Sequence, residues 1–364
     1  MIVSVAYFIL YFTLFFVLLA LLLFNRKQYA ASLTDFPPVS ILIAARNEEH
    51  TVLRCLQALE QLNYPKDKIE VLIGDDASTD NTRAVIDAFI SDKPNHTCIT
   101  ITHTLGKAKG KANVLAHLAK LATTNYFFYT DADIAVPPQW IETMLAGLEN
   151  EKIGVVTGIT TTAGKGFFAK LLALDWLYAL GLIQVVSDLN LRVTTMGNNM
   201  LLRRRAYEEV GGYEGIDFSI TEDIAIFNQV LKRGWGFRNI YSKEVLALST
   251  PPENLKSYLD QRRRWMRGSM HLPFYMAIIF ILHSAYYPVL LPFFAYTSVG
   301  VMLAIFTFKL VLQSLFLRIC LRRVGRTTAW WMYPLFELYL VVSSIILIVY
   351  FFLPIKTNWK GRKY

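Results

Sequence analysis

Asp131 and Asp133, separated by one alanine, close an apolar, aromatic run that begins at Tyr126 and has the character of a strand. At the carboxyl end of a strand in an open α/β sheet, acidic groups face a ligand site and not a core. Held this close they repel, and a divalent cation carrying a bound diphosphate is the simplest partner that makes the pair favourable. A turn that uses its Asp side chains for backbone hydrogen bonds fits the same three residues. A second acidic cluster, Asp75-Asp76-Ala77-Ser78-Thr79-Asp80, also ends a strand-like run. There Asp76 can accept hydrogen bonds from a pyrimidine N–H, while a helix start capped by Ser78 or Asp80 accounts for part of the motif. Thr221-Glu222-Asp223 offers a carboxylate suited to general base work, at a position where Thr221 fits an N-cap and acidic groups suit the helix dipole. In Gln261-Arg262-Arg263-Arg264-Trp265 the guanidinium groups can grip a diphosphate and the indole offers a stacking face; a solvated basic helix at a membrane surface has the same composition.

These groups need a frame, and the spacing of apolar runs supplies one. Strands are expected at 39–46, 69–76, 99–104 and up to Asp131, alternating with helices at 48–62, 79–90 and 111–121. A helix at 140–148, a strand at 153–162, a short strand reaching Arg205 and a helix from Thr221 to Arg233 follow. This alternation implies an α/β domain with a mostly parallel sheet and polar residues collected at its strand ends. Segment 166–186 is strongly apolar, with only Lys170 and Asp175 charged, which suits a helix on the bilayer surface or one buried in the core.

The ends of the chain are of another kind. Residues 2–24 carry no charge, are long enough to cross a hydrocarbon core, and are followed by Arg26 and Lys27, which reads as a membrane helix ending in the cytoplasm. A secretory signal peptide would be shorter, with a basic start and a small-residue cleavage site. Residues 271–354 hold two to three further spans, after which comes a basic tail, 355–364. Three spans would put Lys356, Lys360, Arg362 and Lys363 outside, against the positive-inside tendency, unless one segment is re-entrant or interfacial or the tail is an exception. The mean hydropathy of +0.35 is too high for an ordinary soluble enzyme. The net charge of +9 does not point to nucleic acid, because the basic clusters at 262–267 and 318–326 lie beside apolar segments, where anionic lipid headgroups explain them better. Cys55, Cys98 and Cys320 are scattered and odd in number, which fits a reducing compartment and neither a disulfide framework nor a zinc site.

The ordered set of motifs resembles the membrane-bound branch of the family 2 glycosyltransferases, which includes cellulose, chitin and hyaluronan synthases and the ceramide glucosyltransferase type. The motifs are Val-Ser-Ile-Leu-Ile-Ala-Ala-Arg-Asn-Glu from Val39, Asp-Asp-Ala-Ser-Thr-Asp from Asp75, Gly-Lys-Ala-Lys-Gly-Lys-Ala-Asn from Gly106, Asp131-Ala132-Asp133, Gly-Asn-Asn-Met-Leu-Leu-Arg-Arg from Gly197, Thr221-Glu222-Asp223 and Gln261 to Trp265. Each is weak alone; the order is specific, and the similarity spans 39–265. It implies an α/β domain of GT-A type over 37–268, with interfacial helices at 166–186 and 253–267. It also implies a UDP-sugar donor bound with Mg²⁺ or Mn²⁺ and transfer with inversion. Residue by residue, the resemblance implies that Ala45 and Glu48 frame the uridine and Asp76 contacts the base. Lys109 and Lys111 would lie near the diphosphate, although helix-start lysines on the surface read equally well. Asp131 would face the nucleotide sugar and, with Asp133, hold the metal. Asp223 would be the base, Arg264 would hold the leaving diphosphate, and Gln261 and Trp265 would serve the acceptor.

Three function classes stay in view. The motifs favour an enzyme. No G-x-x-x-x-G-K-S/T sequence supports phosphoryl transfer from ATP, and a non-catalytic membrane scaffold needs none of the ordered carboxylates. Within the enzyme class, the small set of spans leaves little protein to enclose a polymer channel, so a membrane lipid is the expected acceptor and a processive polysaccharide synthase the alternative. The resemblance places the protein in a bacterial inner membrane, with its catalytic domain in the cytoplasm.

Overall fold

The computed structural model describes residues 1–27, 29, 35–269, 272–353, 358–359 and 362–363. The basic tail falls mostly outside these residues. After helix α1 (Ile2–Phe24) the chain builds β1 (Val39–Ala45), α2 (Val52–Glu60), β2 (Ile69–Asp75), α3 (Thr82–Ile90), β3 (His96–Thr100), α4 (Lys111–Leu121) and β4 (Tyr126–Asp131). The four strands pair in parallel in the order β3-β2-β1-β4, as strand–helix alternation requires. The central strands are buried on both faces: Val39, Ile41, Leu42 and Ile43 of β1 and Phe128 of β4 are fully enclosed. Gly74 lets α4 lie close to the sheet, since a Cβ there would sit 2.3 Å from Val114 Cγ1.

Register, more than strand existence, builds the site. Ala45 is paired with Asp75, and Ala44 with Asp131, so the acidic strand ends lie side by side on one edge of the sheet. Next come β5 (Ile134–Ala135), α5 (Trp140–Ala146), β6 (Ile153–Thr157), β7 (Ile159–Thr162), α6 (Phe167–Asp188), β8 (Asn199–Arg203), α7 (Arg204–Glu209), α8 (Gly212–Gly215), α9 (Glu222–Lys232), β9 (Gly236–Asn239) and β10 (Leu246–Ser249). The main sheet has seven strands, β3-β2-β1-β4-β8-β6-β9, with β8 antiparallel to both of its neighbours.

Several sequence expectations shift. The strand expected at 153–162 is two strands in two sheets, because the chain turns at Gly158, where a Cβ would lie 2.4 Å from Asn199 Oδ1. β7 then joins β10 and β5 in a separate three-stranded sheet. The strand expected at 99–104 ends at Thr100: the next residues form a loop held by Asn113, whose Nδ2 donates to His103 O (2.8 Å) and whose Oδ1 accepts from Leu105 N–H (2.8 Å). The side chain of Thr221 makes no cap bond to α9.

The remaining helices are α10 (Leu255–Ser269), α11 (Phe274–Ser284), α12 (Tyr286–Phe293), α13 (Val299–Arg323) and α14 (Met332–Phe352), and two-residue strands β11 (Asn358–Trp359) and β12 (Arg362–Lys363) pair at the end. Among the described residues, five helical segments are long and apolar enough to cross a membrane: Ile2–Phe24, Phe167–Asp188, Phe274–Tyr296, Val299–Arg323 and Met332–Phe352. The third bends at Ala285, ahead of Pro288, which cannot donate to the preceding turn. α6 packs on β7 and against α13 at Gly181, where a Cβ would meet Cys320 Sγ at 2.4 Å.

Candidate active site

All eleven residues singled out from the sequence, Ala45, Glu48, Asp76, Lys109, Lys111, Asp131, Asp133, Asp223, Gln261, Arg264 and Trp265, line one cavity of ≈ 480 Å³. They come from the end of β1 and the turns after β1 and β2, the loop before α4 and its first residue, the end of β4 and the turn after it, the start of α9, and α10. β1 and β2 set the first group. The Asp76 N–H donates to Ala45 O (2.9 Å), the Glu48 carboxylate accepts from Thr51 Oγ1 (2.6 Å), and Arg46 donates to the backbone oxygen of Asp76.

The centre of the cavity is an alternation of charge. Lys111 Nζ stands 2.5 Å from Asp131 Oδ1 and 3.0 Å from Glu222 Oε1. Burial works against the Lys111 ammonium, but Asp131 and Glu222 outweigh it and hold its pKa above the ordinary lysine range. Lys111 is therefore no surface lysine, and Glu222 is its half-buried ion-pair partner, with 14% of its side chain exposed.

Asp133 and Asp223 both sit in environments that resist ionisation. Burial first, and the neighbouring Asp131 second, push the Asp133 carboxyl up to about 6, against the Ser249 hydroxyl that donates to Oδ2 at 3.0 Å. Burial and Glu222 push Asp223 up to about 6 as well, well above the ordinary carboxylate range. Two backbone donors fix the Asp223 carboxylate: Gly197 N–H to Oδ2 at 2.7 Å and Ile224 N–H to Oδ1 at 2.9 Å. A Cβ on Gly197 would lie 2.6 Å from Asp223 Cβ, so only glycine admits this approach.

The residues present fit a hard divalent cation. Two half-buried carboxylates face one space, and the raised pKa of Asp133 reflects burial first and the neighbouring Asp131 second, both of which a cation would offset. Among the described residues no group of three or more His, Cys, Asp or Glu is placed to hold a metal alone. Two carboxylates suit an ion of the Mg²⁺ or Mn²⁺ kind, which takes its other ligands from phosphate and water.

Four features escaped the sequence reading. Gly197 buttresses Asp223, and Ser249 reaches Asp133 because β10 pairs with β5. Asn199 is fully buried and joins both sheets: it accepts from Trp140 Nε1 (2.8 Å) and donates to Ile159 O (2.8 Å) and Val245 O (2.9 Å). Gly197 and Asn199 stand in a motif whose order was recognised but to which no role was given. The fourth feature is an apolar wall to the same cavity, from Trp176, Leu180 and Ile183 of α6 and from Leu272 and Phe280.

Known proteins agree with this architecture. The family model described as glycosyl transferase family 21 matches residues 2–364. The chain is 27% identical over 252 residues to the probable glycosyltransferase YdaM of Bacillus subtilis, which covers 68% of this chain and 59% of that protein. It is 30% identical over 233 residues to the poly-beta-1,6-N-acetyl-D-glucosamine synthase of Staphylococcus epidermidis, covering 63% of this chain and 54% of that protein. The alignments thus take in little more than half the length of these relatives. Among solved structures, the mannosyltransferase PcManGT from Pyrobaculum calidifontis, in complex with GDP-Man and Mn²⁺, superposes with a TM-score of 0.57 at 17% identity over 94% of this chain and 98% of that one, which bears out the GT-A-like fold. With the family matched over nearly its whole length, the chain belongs to glycosyl transferase family 21 and is a glycosyltransferase.

Proposed function

We propose that this chain is an inverting, metal-dependent enzyme that moves a sugar from a nucleotide-diphospho-sugar, of the UDP type, to the hydroxyl of a membrane lipid. One observation carries the reading. The cavity that gathers Asp131, Asp133 and Asp223 is also lined by Trp176, Leu180, Ile183 and Phe280, and these belong to apolar segments long enough to cross a bilayer. An amphipathic acceptor can leave its apolar part along α6 and α11 while its hydroxyl reaches the carboxylates.

In this mechanism Asp76 accepts from the base N–H, and Ala45 and Glu48 frame the uridine. Asp131 and Asp133 hold Mg²⁺ or Mn²⁺, which when bound offsets negative charge on the leaving diphosphate. Lys109 and the Arg264 guanidinium add donors to the same diphosphate oxygens. Lys111 stands between Asp131 on the donor side and Glu222 beside the base, so one ammonium links the two halves of the site. Asp223 Oδ takes the acceptor proton as the hydroxyl attacks the anomeric carbon on the face opposite the diphosphate. A single displacement of this kind inverts the configuration. Gln261 and Trp265 meet the acceptor. The GDP-Man and Mn²⁺ of PcManGT support a nucleotide sugar and a divalent ion as the class of ligand.

The protein is proposed to be integral to a bacterial inner membrane, with the catalytic domain in the cytoplasm and nucleic acid no partner. Arg26, Lys27, Arg318, Arg322 and Arg323 lie at the ends of α1 and α13 beside that domain: Lys27 Nζ donates to Asn190 Oδ1 (2.6 Å), and Arg323 donates to Leu22 O. This is the distribution the positive-inside tendency favours for a cytoplasmic face. A second reading, a processive polysaccharide synthase, is favoured by the Staphylococcus epidermidis relative.

Membranes containing the chain, given Mn²⁺ and radiolabelled UDP-glucose, UDP-galactose or UDP-N-acetylglucosamine, test these readings together. Label in organic-soluble product supports the lipid acceptor, label only in high-molecular-weight product supports the polymer, and no release of UDP from any donor refutes both.

A further inference from the structure

Asp175 is one of two charged residues in the first twenty positions of α6, and it does not line the catalytic cavity. Its carboxylate nevertheless holds two partners: Arg262 of α10 donates to Oδ2, and Tyr339 OH of α14 donates to the same atom at 3.1 Å. Arg262 in turn lies over the Trp265 ring, 4.9 Å from its centroid, and over the Tyr258 ring at 5.5 Å. Trp265 meets Trp176 edge to face, with centroids 4.7 Å apart and planes at 75°. Trp176 follows Asp175 in the chain, so the contacts close a ring: carboxylate, guanidinium, indole, indole and back to the carboxylate's own helix. Three members of that ring, Trp176, Arg262 and Trp265, line the cavity.

A charge buried between helices persists only when paired, and a guanidinium held at one end by a carboxylate is fixed in the plane it offers to an aromatic face. We propose that Asp175 is a positioning residue for glycosyl transfer: through Arg262 it holds Trp265 against Trp176 and so sets where the acceptor lies relative to Asp223. The inference rests on the reading of Trp265 as an acceptor contact given above. The device also locks α10 to α6 and α14, two apolar helices, so the acceptor wall and the helix carrying Arg264 move as one body.

The test uses the full chain in detergent–phosphatidylcholine vesicles, with dioleoylglycerol as a hydroxyl-bearing lipid probe and labelled UDP-sugar with Mn²⁺. Asp175→Asn is expected to raise the acceptor KM about tenfold and leave the donor KM within about twofold, because misplacement acts on the acceptor alone. Asp175→Glu restores most of the loss. Near-ultraviolet circular dichroism gives a readout that needs no acceptor: the coupled signal of the Trp176–Trp265 pair is lost in Asp175→Asn and returns in Asp175→Glu. Should the single variant fold poorly because Arg262 is left unpaired, Asp175→Asn/Arg262→Gln removes both charges and is expected to keep the raised acceptor KM. Wild-type acceptor KM and an unchanged indole signal in either neutral variant overturn the proposal. So does a lowered melting temperature with both KM values unmoved. If the wild-type enzyme labels only polymer, the lipid reading fails by itself, and the Asp175 comparison is then made on the glycan primer with the same two outcomes.

Discussion

In the proposed mechanism Asp223 is the base, and its surroundings set its pH behaviour. A base must be ionised to accept a proton. Burial and Glu222 raise its pKa to about 6, so the rate is full above that value and falls as pH drops through it. The pH profile of transfer should therefore show an acid limb near 6, well above that of an ordinary Asp; a profile flat down to pH 4.5 would remove Asp223 from the role. Asp223→Asn should lower kcat by about 10²- to 10⁴-fold while nucleotide binding persists, read by isothermal titration with UDP and Mn²⁺. Gly197→Ala tests position and not charge. Its Cβ would meet Asp223 at 2.6 Å, and a shift of that carboxylate should cost about 10²-fold in kcat with little change in donor KM. On the donor side, Ser249→Ala removes the hydroxyl that orients Asp133 and should weaken activation by Mn²⁺ about 10-fold, seen as a rise in the half-saturating metal concentration.

At the scale of elements, what was legible in the sequence were features with local causes. Apolar runs ending in Asp75 and Asp131 announced strands with a polar end, and the helix at Lys111–Leu121 falls where its periodicity put it. What was not legible depends on pairing between distant segments. Nothing near Gly158 says that the chain changes sheets there, because the reason is the Asn199 side chain forty-one residues on. The pairing of Glu222 was equally hidden, because its partner, Lys111, lies on another helix. The same holds among the apolar helices. Lys309 of α13 and Glu337 of α14 pair with each other almost without exposure, with Tyr287 OH also donating to Glu337. Removing one charge strands the other in an apolar surround. Lys309→Met or Glu337→Gln alone should each destabilise by about 3–5 kcal/mol, and the double variant should recover most of that loss, as followed by thermal unfolding in detergent.

At the scale of the whole molecule, a GT-A-like sheet with an acidic edge is joined to apolar helices through α6 and α10, and the cavity lies where they meet. The end of α14 belongs to this junction: Arg263 donates to Leu353 O and lies over the Tyr350 ring at 5.6 Å, and Tyr350 OH donates to Asp260 (2.7 Å). α14 thus ends beside the helix that carries Arg264 and Trp265. Charged sugar chemistry and an apolar approach path are thereby brought to the same ≈ 480 Å³. The most direct test is to supply the purified chain with Mn²⁺, a labelled UDP-sugar and lipid vesicles, and to compare extractable glycolipid formed by the wild type and by Asp223→Asn. The account predicts labelled lipid from the wild type and none from the variant, although both bind UDP. Equal labelling by the two proteins, or wild-type label confined to long polymer, would contradict it.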